Sequence, residues 1–189
     1  MPGSRPRASD PPNISGPPMH FAHMPAGYLL TKLLIGKNER VPHLLMCGAL
    51  VASVLPDFDL SLYLLGLDDR GAHHGYWTHT PAFWLALLLP VIGVAWLARR
   101  PIFAAFFGIV LANTLLHLVL DAVASWIPLL RPFSDAWINL QIDLSGEAEW
   151  AVAMQEANGL VELAICAVAA LVFLASSSRS RAGSVSSAS

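Results

Sequence analysis

Residues 117–121 read His-Leu-Val-Leu-Asp and lie inside an apolar run from Pro101 to Leu130. A carboxylate within a hydrocarbon-seeking helix costs about 2.5–3.5 kcal/mol on insertion scales. His117 and Asp121 are four residues apart, so a helix stacks them on one face, one turn from each other. Both side chains can ligate a metal, and a polar pair kept at that cost points to function.

The composition makes the surrounding chain a membrane protein. It is 55% hydrophobic and 13% charged over 189 residues, with a mean hydropathy of +0.56, whereas soluble domains carry about 25% charged residues. A net charge of −2 leaves no basic stripe for neutralising phosphates, so nucleic acid is not an expected partner. Cys47 and Cys166 sit in apolar segments and read as small buried hydrophobes. Neither a Gly-rich phosphate loop, a serine nucleophile elbow nor a Cys-x-x-Cys occurs.

The sequence predicts an all-α, multi-spanning membrane bundle of about five apolar helices with disordered ends. Residues 1–18 read as a disordered Pro/Ser/Gly-rich extension, 19–175 as the membrane-embedded domain, and 176–189 as a disordered Ser/Arg-rich tail. The apolar segments run from Met24 to Ile35, Val41 to Leu55, Ala82 to Ala98, Ile102 to about Leu120, and about Gly159 to Ala175. The last three are expected to span. The first two are short and suit a thin or re-entrant hairpin.

Basic residues set the orientation. Lys32, Lys37 and Arg40, then Arg99 and Arg100, then Arg179 and Arg181 fall on one side if the spans alternate, and the positive-inside rule makes that side cytoplasmic. Arg5, Arg7 and Arg131 fall opposite. His20, His23, His73, His74, His79 and His117 then gather toward the extracytoplasmic end with Asp57, Asp59 and Asp121, and only His43 falls at the other end. Trp77, Trp84, Trp126, Trp137 and Trp150 mark the same boundary and read as an interfacial aromatic belt.

His and Asp together are ligands for zinc and related divalent ions. Asp57-x-Asp59 places two carboxylates where they can bridge cations, or where one binds while the other orients a histidine. His74-x4-His79 crosses a glycine-containing turn, and His117-x3-Asp121 contributes from a helix. Convergence of these pieces would hold one to three ions able to activate water against a phosphoester. Glu162, near the start of the last segment, follows the logic of Asp121.

The order of these pieces resembles the YdjM-like family, described as LexA-binding, inner-membrane-associated metal-dependent hydrolases. The family pattern opens with a His followed by a Gly four residues on, as in His23 and Gly27, and continues with a Leu-Pro-Asp-x-Asp turn, as in Leu55 to Asp59. Its His-Arg-Gly-x-Thr-His-Ser stretch is matched by His74, Thr78 and His79. Here the Arg-Gly pair after the first histidine is absent and Thr80 replaces the serine. A His-x-x-x-Asp helix leading to a Pro-Phe follows, as in His117, Asp121 and Pro132-Phe133, and Glu162 matches a late glutamate.

The resemblance covers roughly residues 19–175. It extends distantly to zinc-dependent phospholipase C and the P1-type nucleases, which are helical and hydrolyse phosphoesters. It implies His23, Asp57, Asp59, His74, His79, His117, Asp121 and Glu162 as metal ligands or their supports, with Asp57 or Asp59 acting on the water. It further implies zinc as the cofactor and membrane lipid or a small or lipid phosphoester as partner. The LexA-binding part of the description does not transfer, because no cytoplasmic partner surface is legible. The competing expectation is a divalent-metal transporter or sensor with the same ligands and no chemistry. Transport would need polar residues continuing toward the cytoplasm, and no ionisable side chain occurs between His79 and Arg99 or between Arg100 and His117.

Overall fold

A computed structural model describes residues 21–36, 42–61, 65, 75–140 and 150–186, with side chains left aside at 150–157 and 179–186. The expectations for residues 1–18, Lys37, Arg40, His73 and His74 fall outside the described residues. Among the described residues there are five α-helices: α1 (His23–Ile35), α2 (His43–Ala52), α3 (Pro81–Leu97), α4 (Pro101–Ala124) and α5 (Trp150–Ser186). Two 3-10 turns, Pro56–Asp59 and Trp77–His79, lie between α2 and α3. Among the described residues there is no strand, only an isolated antiparallel bridge between Ile127 and Ile138.

Local chemistry sets the boundaries. Pro81 and Pro101 open α3 and α4 at positions where a missing N–H costs nothing. Gly36, at φ 85°, takes the left-handed backbone that ends α1. Pro90 lies inside α3, which packs along α4, and a neighbouring helix is one of the conditions under which an apolar helix tolerates an internal proline.

Helix lengths differ from the expectation of three full spans. Among the described residues, α4 and the stretch Asn158–Ser178 of α5 are the two segments long and apolar enough to cross a membrane. α3 has 17 residues, about 26 Å at 1.5 Å per residue, against a hydrocarbon core of about 30 Å. The helix after Gly159 also continues to Ser186, past the expected limit at Ala175. No proline interrupts that Ser/Arg-rich stretch, so nothing in the backbone stops helical propagation.

α4 is the hub. It packs along α3 and also touches α2 and α1, while α5 rests on α1. Trp84 and Leu88 of α3 meet Leu111, Leu118 and Ala122 of α4, with Ile127 closing the cluster from the following loop. The adjoining face of α4 is polar and buried, presenting Asn113, Thr114, His117 and Asp121. Beneath His117, the Asn113 Nδ2 donates to Thr31 Oγ1 (3.1 Å) and the Ile109 carbonyl (2.9 Å), and Thr31 Oγ1 donates to the Gly27 carbonyl (2.7 Å).

Gly27 lets α1 approach this layer. A β-carbon there would stand 2.7 Å from both Asn113 Oδ1 and Ser53 Cβ. On an open helix face Gly→Ala stabilises by about 1 kcal/mol, but overpacking costs about 1–3 kcal/mol. Two contacts this short place Gly27→Ala at the upper end, so a net loss of about 2 kcal/mol is expected, read as a lower melting temperature in detergent.

Candidate metal centre

Four elements deliver one cluster. The turn after α2 begins at Pro56 and alternates its side chains: Asp57 is one-quarter exposed, Phe58 points out, and Asp59 is buried. The Trp77–His79 turn buries His79 completely. α4 contributes His117 and Asp121 one turn apart, and the first residue of α1 is His23.

Asp57, His79, His117 and Asp121 each point one ligand atom at a common centre, all within 4.8 Å of one another. His117 Nε2 lies 3.0 Å from Asp121 Oδ2 and 3.4 Å from Asp57 Oδ1. His79 Nε2 lies 3.5 Å and 3.6 Å from the same two oxygens. Four donors set tetrahedrally about an ion at 2.0–2.1 Å stand about 3.3–3.4 Å apart. The four imidazole–carboxylate edges scatter around that value, and the remaining donor pairs lie within 4.8 Å. Two imidazoles and two carboxylates arranged this way can hold a divalent ion.

The surroundings fix which nitrogens face the centre. His117 Nδ1 is 2.8 Å from the Ser53 carbonyl. A carbonyl only accepts, so Nδ1 carries the proton and Nε2 presents its lone pair inward. That inward nitrogen is buried and makes no aligned hydrogen bond, which suits a metal ligand. His79 Nδ1 is held by Asp59 Oδ2 at 3.0 Å, and the Thr78 hydroxyl donates to the same oxygen. Asp59 therefore stands behind His79 in the carboxylate–histidine–metal arrangement.

Electrostatics follow from this crowding. Burial alone would raise the Asp57 carboxyl, but the adjacent His117 and His79 imidazoles, when protonated, outweigh it and hold it well below the usual carboxylate range. Burial likewise disfavours a charged His79, yet Asp57, Asp59 and Asp121 raise its pKa above the ordinary 6.5. Clustered carboxylates draw either protons onto the imidazoles or a cation between them. Since a metal needs the neutral imidazole, protons compete below the raised His79 value. Metal affinity is expected to tighten as pH rises through and above 6.5, with protons released on binding, which calorimetry in buffers of different ionisation enthalpy would detect.

The remaining candidates take other places. His23 Nε2 lies 3.1 Å from Asp121 Oδ1, the oxygen turned away from the four-donor centre, and its ring packs 4.1 Å from that of His117. It buttresses the carboxylate and the neighbouring imidazole. Glu162 accepts from the Phe21 N–H at 3.1 Å and so ties α5 to the start of α1, outside the group of four. His74 lies outside the described residues. Asp59→Asn keeps the shape but weakens the hold on His79 Nδ1. Metal affinity is expected to fall by about 10–100-fold, measured by competition with a chromogenic chelator.

Sequence reasoning did not assign Ser53, which acts through a backbone carbonyl and leaves no side-chain signal. It also gave no role to Thr78 or Asn113. The spacing of Asn113, one turn before His117 on the polar face of α4, was the available clue.

No curated protein and no solved structure matches the chain, so the distant likeness to phospholipase C and P1-type nucleases rests on motif order alone. A family profile described as YdjM inner membrane protein does match, over residues 19–182. That stretch contains all five helices up to residue 182 and every donor of the centre, and on it the chain belongs to the YdjM inner membrane protein family.

Proposed function

We propose that this protein is a multi-pass inner-membrane hydrolase that cleaves phosphoester bonds of a small or lipid-linked substrate at a metal centre on the extracytoplasmic side. The observation that carries this reading is the four-donor geometry, in which three donors are sealed and the fourth, Asp57, is one-quarter exposed. α1, α2 and α3 enter the bilayer beside α4 and α5, with the short helices at the thinner, site-bearing end. Orientation rests on the basic clusters at Lys32, Arg99 and Arg100.

Bound between these residues, a divalent ion, with zinc the best match to two imidazoles and two carboxylates, would activate water and neutralise charge on a phosphoryl oxygen. The protein's own part is positional. His79 and His117 are locked through Nδ1 by Asp59 and the Ser53 carbonyl, so their inward nitrogens cannot swing. Asp121 is braced by His23. Asp57 alone meets solvent, where a carboxylate can give up a coordination position, orient a water and take its proton.

One observation favours the alternative of metal transport or sensing without hydrolysis: four protein donors would suffice to fill the sphere of a four-coordinate ion, as in closed structural sites. Against transport, the layer under the site holds Thr31, Asn113 and Thr114 but no ionisable group. Hydrolysis of a broad phosphomonoester and phosphodiester panel by the zinc-loaded protein decides the matter. Turnover that disappears with chelator supports the hydrolase; retained metal with no turnover on any substrate supports sensing or transport.

A further inference from the structure

The turns that carry Asp57, Asp59 and His79 have a second, apolar face. Phe58 sits between the two aspartates and is 74% exposed, and Trp77, two residues before His79, is 56% exposed. With Leu55, Tyr76, Phe83 and Trp84 they line a cavity of about 210 Å³. Its back wall is a run of edge-to-face ring contacts, with Trp77 and Phe83 at 4.1 Å and Phe83 and Trp84 at 5.0 Å.

Most polar atoms at the cavity edge are engaged with the protein, and Asp59 Oδ1, which makes no hydrogen bond, is buried. The Trp84 indole N–H donates to the Thr78 carbonyl at 2.7 Å, the Thr78 hydroxyl donates to Asp59, and Asp59 holds His79. What the cavity exposes is almost wholly aromatic and aliphatic carbon. Such a cavity favours hydrocarbon over a sugar or water, whose hydrogen bonds would go unanswered. The aromatic-belt expectation fails for Trp84, which is only 5% exposed and so faces the protein rather than the interface. Asp59 and Thr78 border the cavity and support His79 at once, so the cavity and the metal centre share a wall.

We propose that this cavity binds the hydrocarbon chain of an amphiphilic phosphoester whose phosphate lies on the Asp57–His79–His117–Asp121 centre. The assignment rests on the hydrolase reading for the placement of the phosphate, and it narrows the substrate class to phosphoesters with a flexible apolar chain. At about 30 Å³ per group, the volume holds roughly six to eight methylenes.

The test uses n-alkyl phosphates from ethyl to decyl, each below its own micelle concentration, titrated calorimetrically into the zinc-loaded full chain at one detergent concentration. Affinity is expected to rise about fourfold per methylene and to level off near hexyl to octyl. Trp77→Ala and Phe58→Ala should flatten that slope while bound zinc per chain stays as in the unmodified protein. Phe58→Ala serves alone if Trp77→Ala fails to retain metal, since so exposed a side chain contributes little to folding. Affinity independent of chain length, or an unchanged slope in Phe58→Ala, overturns the proposal. Chain-dependent binding without cleavage of any alkyl phosphate upholds the chain site and counts against the hydrolase. Cleavage with no chain dependence does the reverse.

Discussion

His117→Ala is expected to lower zinc affinity by more than about 100-fold and to abolish hydrolysis. The lower bound follows from magnitude: changing an outer partner of a metal ligand costs about 10–100-fold, and this change removes a donor itself. His117 is also the most connected member of the group, within 3.4 Å of both carboxylates and hydrogen-bonded through Nδ1 to Ser53. Its removal leaves Asp57 and Asp121 facing each other without the imidazole between them, which raises their mutual repulsion. The small side chain also opens a void under the His23 ring. Metal titration against a competing chelator measures the first effect, and circular dichroism shows whether the helices persist. Retained zinc at near-native affinity would remove His117 from the centre.

Asp57→Asn separates chemistry from binding. The amide oxygen can still ligate but carries no charge, so zinc affinity is expected to fall at least as far as for an outer partner, about 10–100-fold, and turnover is compared at saturating zinc. The amide cannot accept a proton, and general-base contributions amount to about 10²–10⁴-fold, so kcat should fall by that factor with KM little changed. Asp57 is the member with solvent access, which is why it is singled out over Asp59, whose Oδ2 is occupied by His79 and Thr78. An Asp57→Asn protein that keeps its kcat would place the proton acceptor elsewhere.

Much of the site is legible in the sequence because helical periodicity is rigid. His117 and Asp121 share a face of α4 on any reading of Pro101–Ala124 as a helix. The Asp-x-Asp turn and His79 are legible as residue types at the same end of the apolar segments. Their division of labour is not. In a short 3-10 turn, a two-residue spacing does not say which carboxylate reaches the centre and which turns behind a histidine, and only tertiary contact with His79 separates Asp57 from Asp59. Glu162 shows the same limit: its place in an apolar helix matches Asp121, yet a lone backbone N–H at Phe21 is enough to employ it.

The fold divides in a similar way. Five apolar segments are visible from hydropathy, and five α-helices form among the described residues. Their lengths depend on where turns interrupt the backbone, as Thr80-Pro81 and Gly36 do. That is why α3 stops at 17 residues and α5 runs on to Ser186. The buried polar layer of Thr31, Asn113 and Thr114 is hidden among apolar neighbours in sequence and emerges only when α1 closes on α4 at Gly27.

The central claim is that Asp57, His79, His117 and Asp121 hold a metal ion. Elemental analysis of the purified, zinc-equilibrated chain beside His117→Ala tests it most directly. The four-donor geometry predicts about one divalent ion per chain in the unmodified protein and less than about a tenth of that in the variant. A chain that takes up no metal, or a variant that holds as much as its parent, would contradict it.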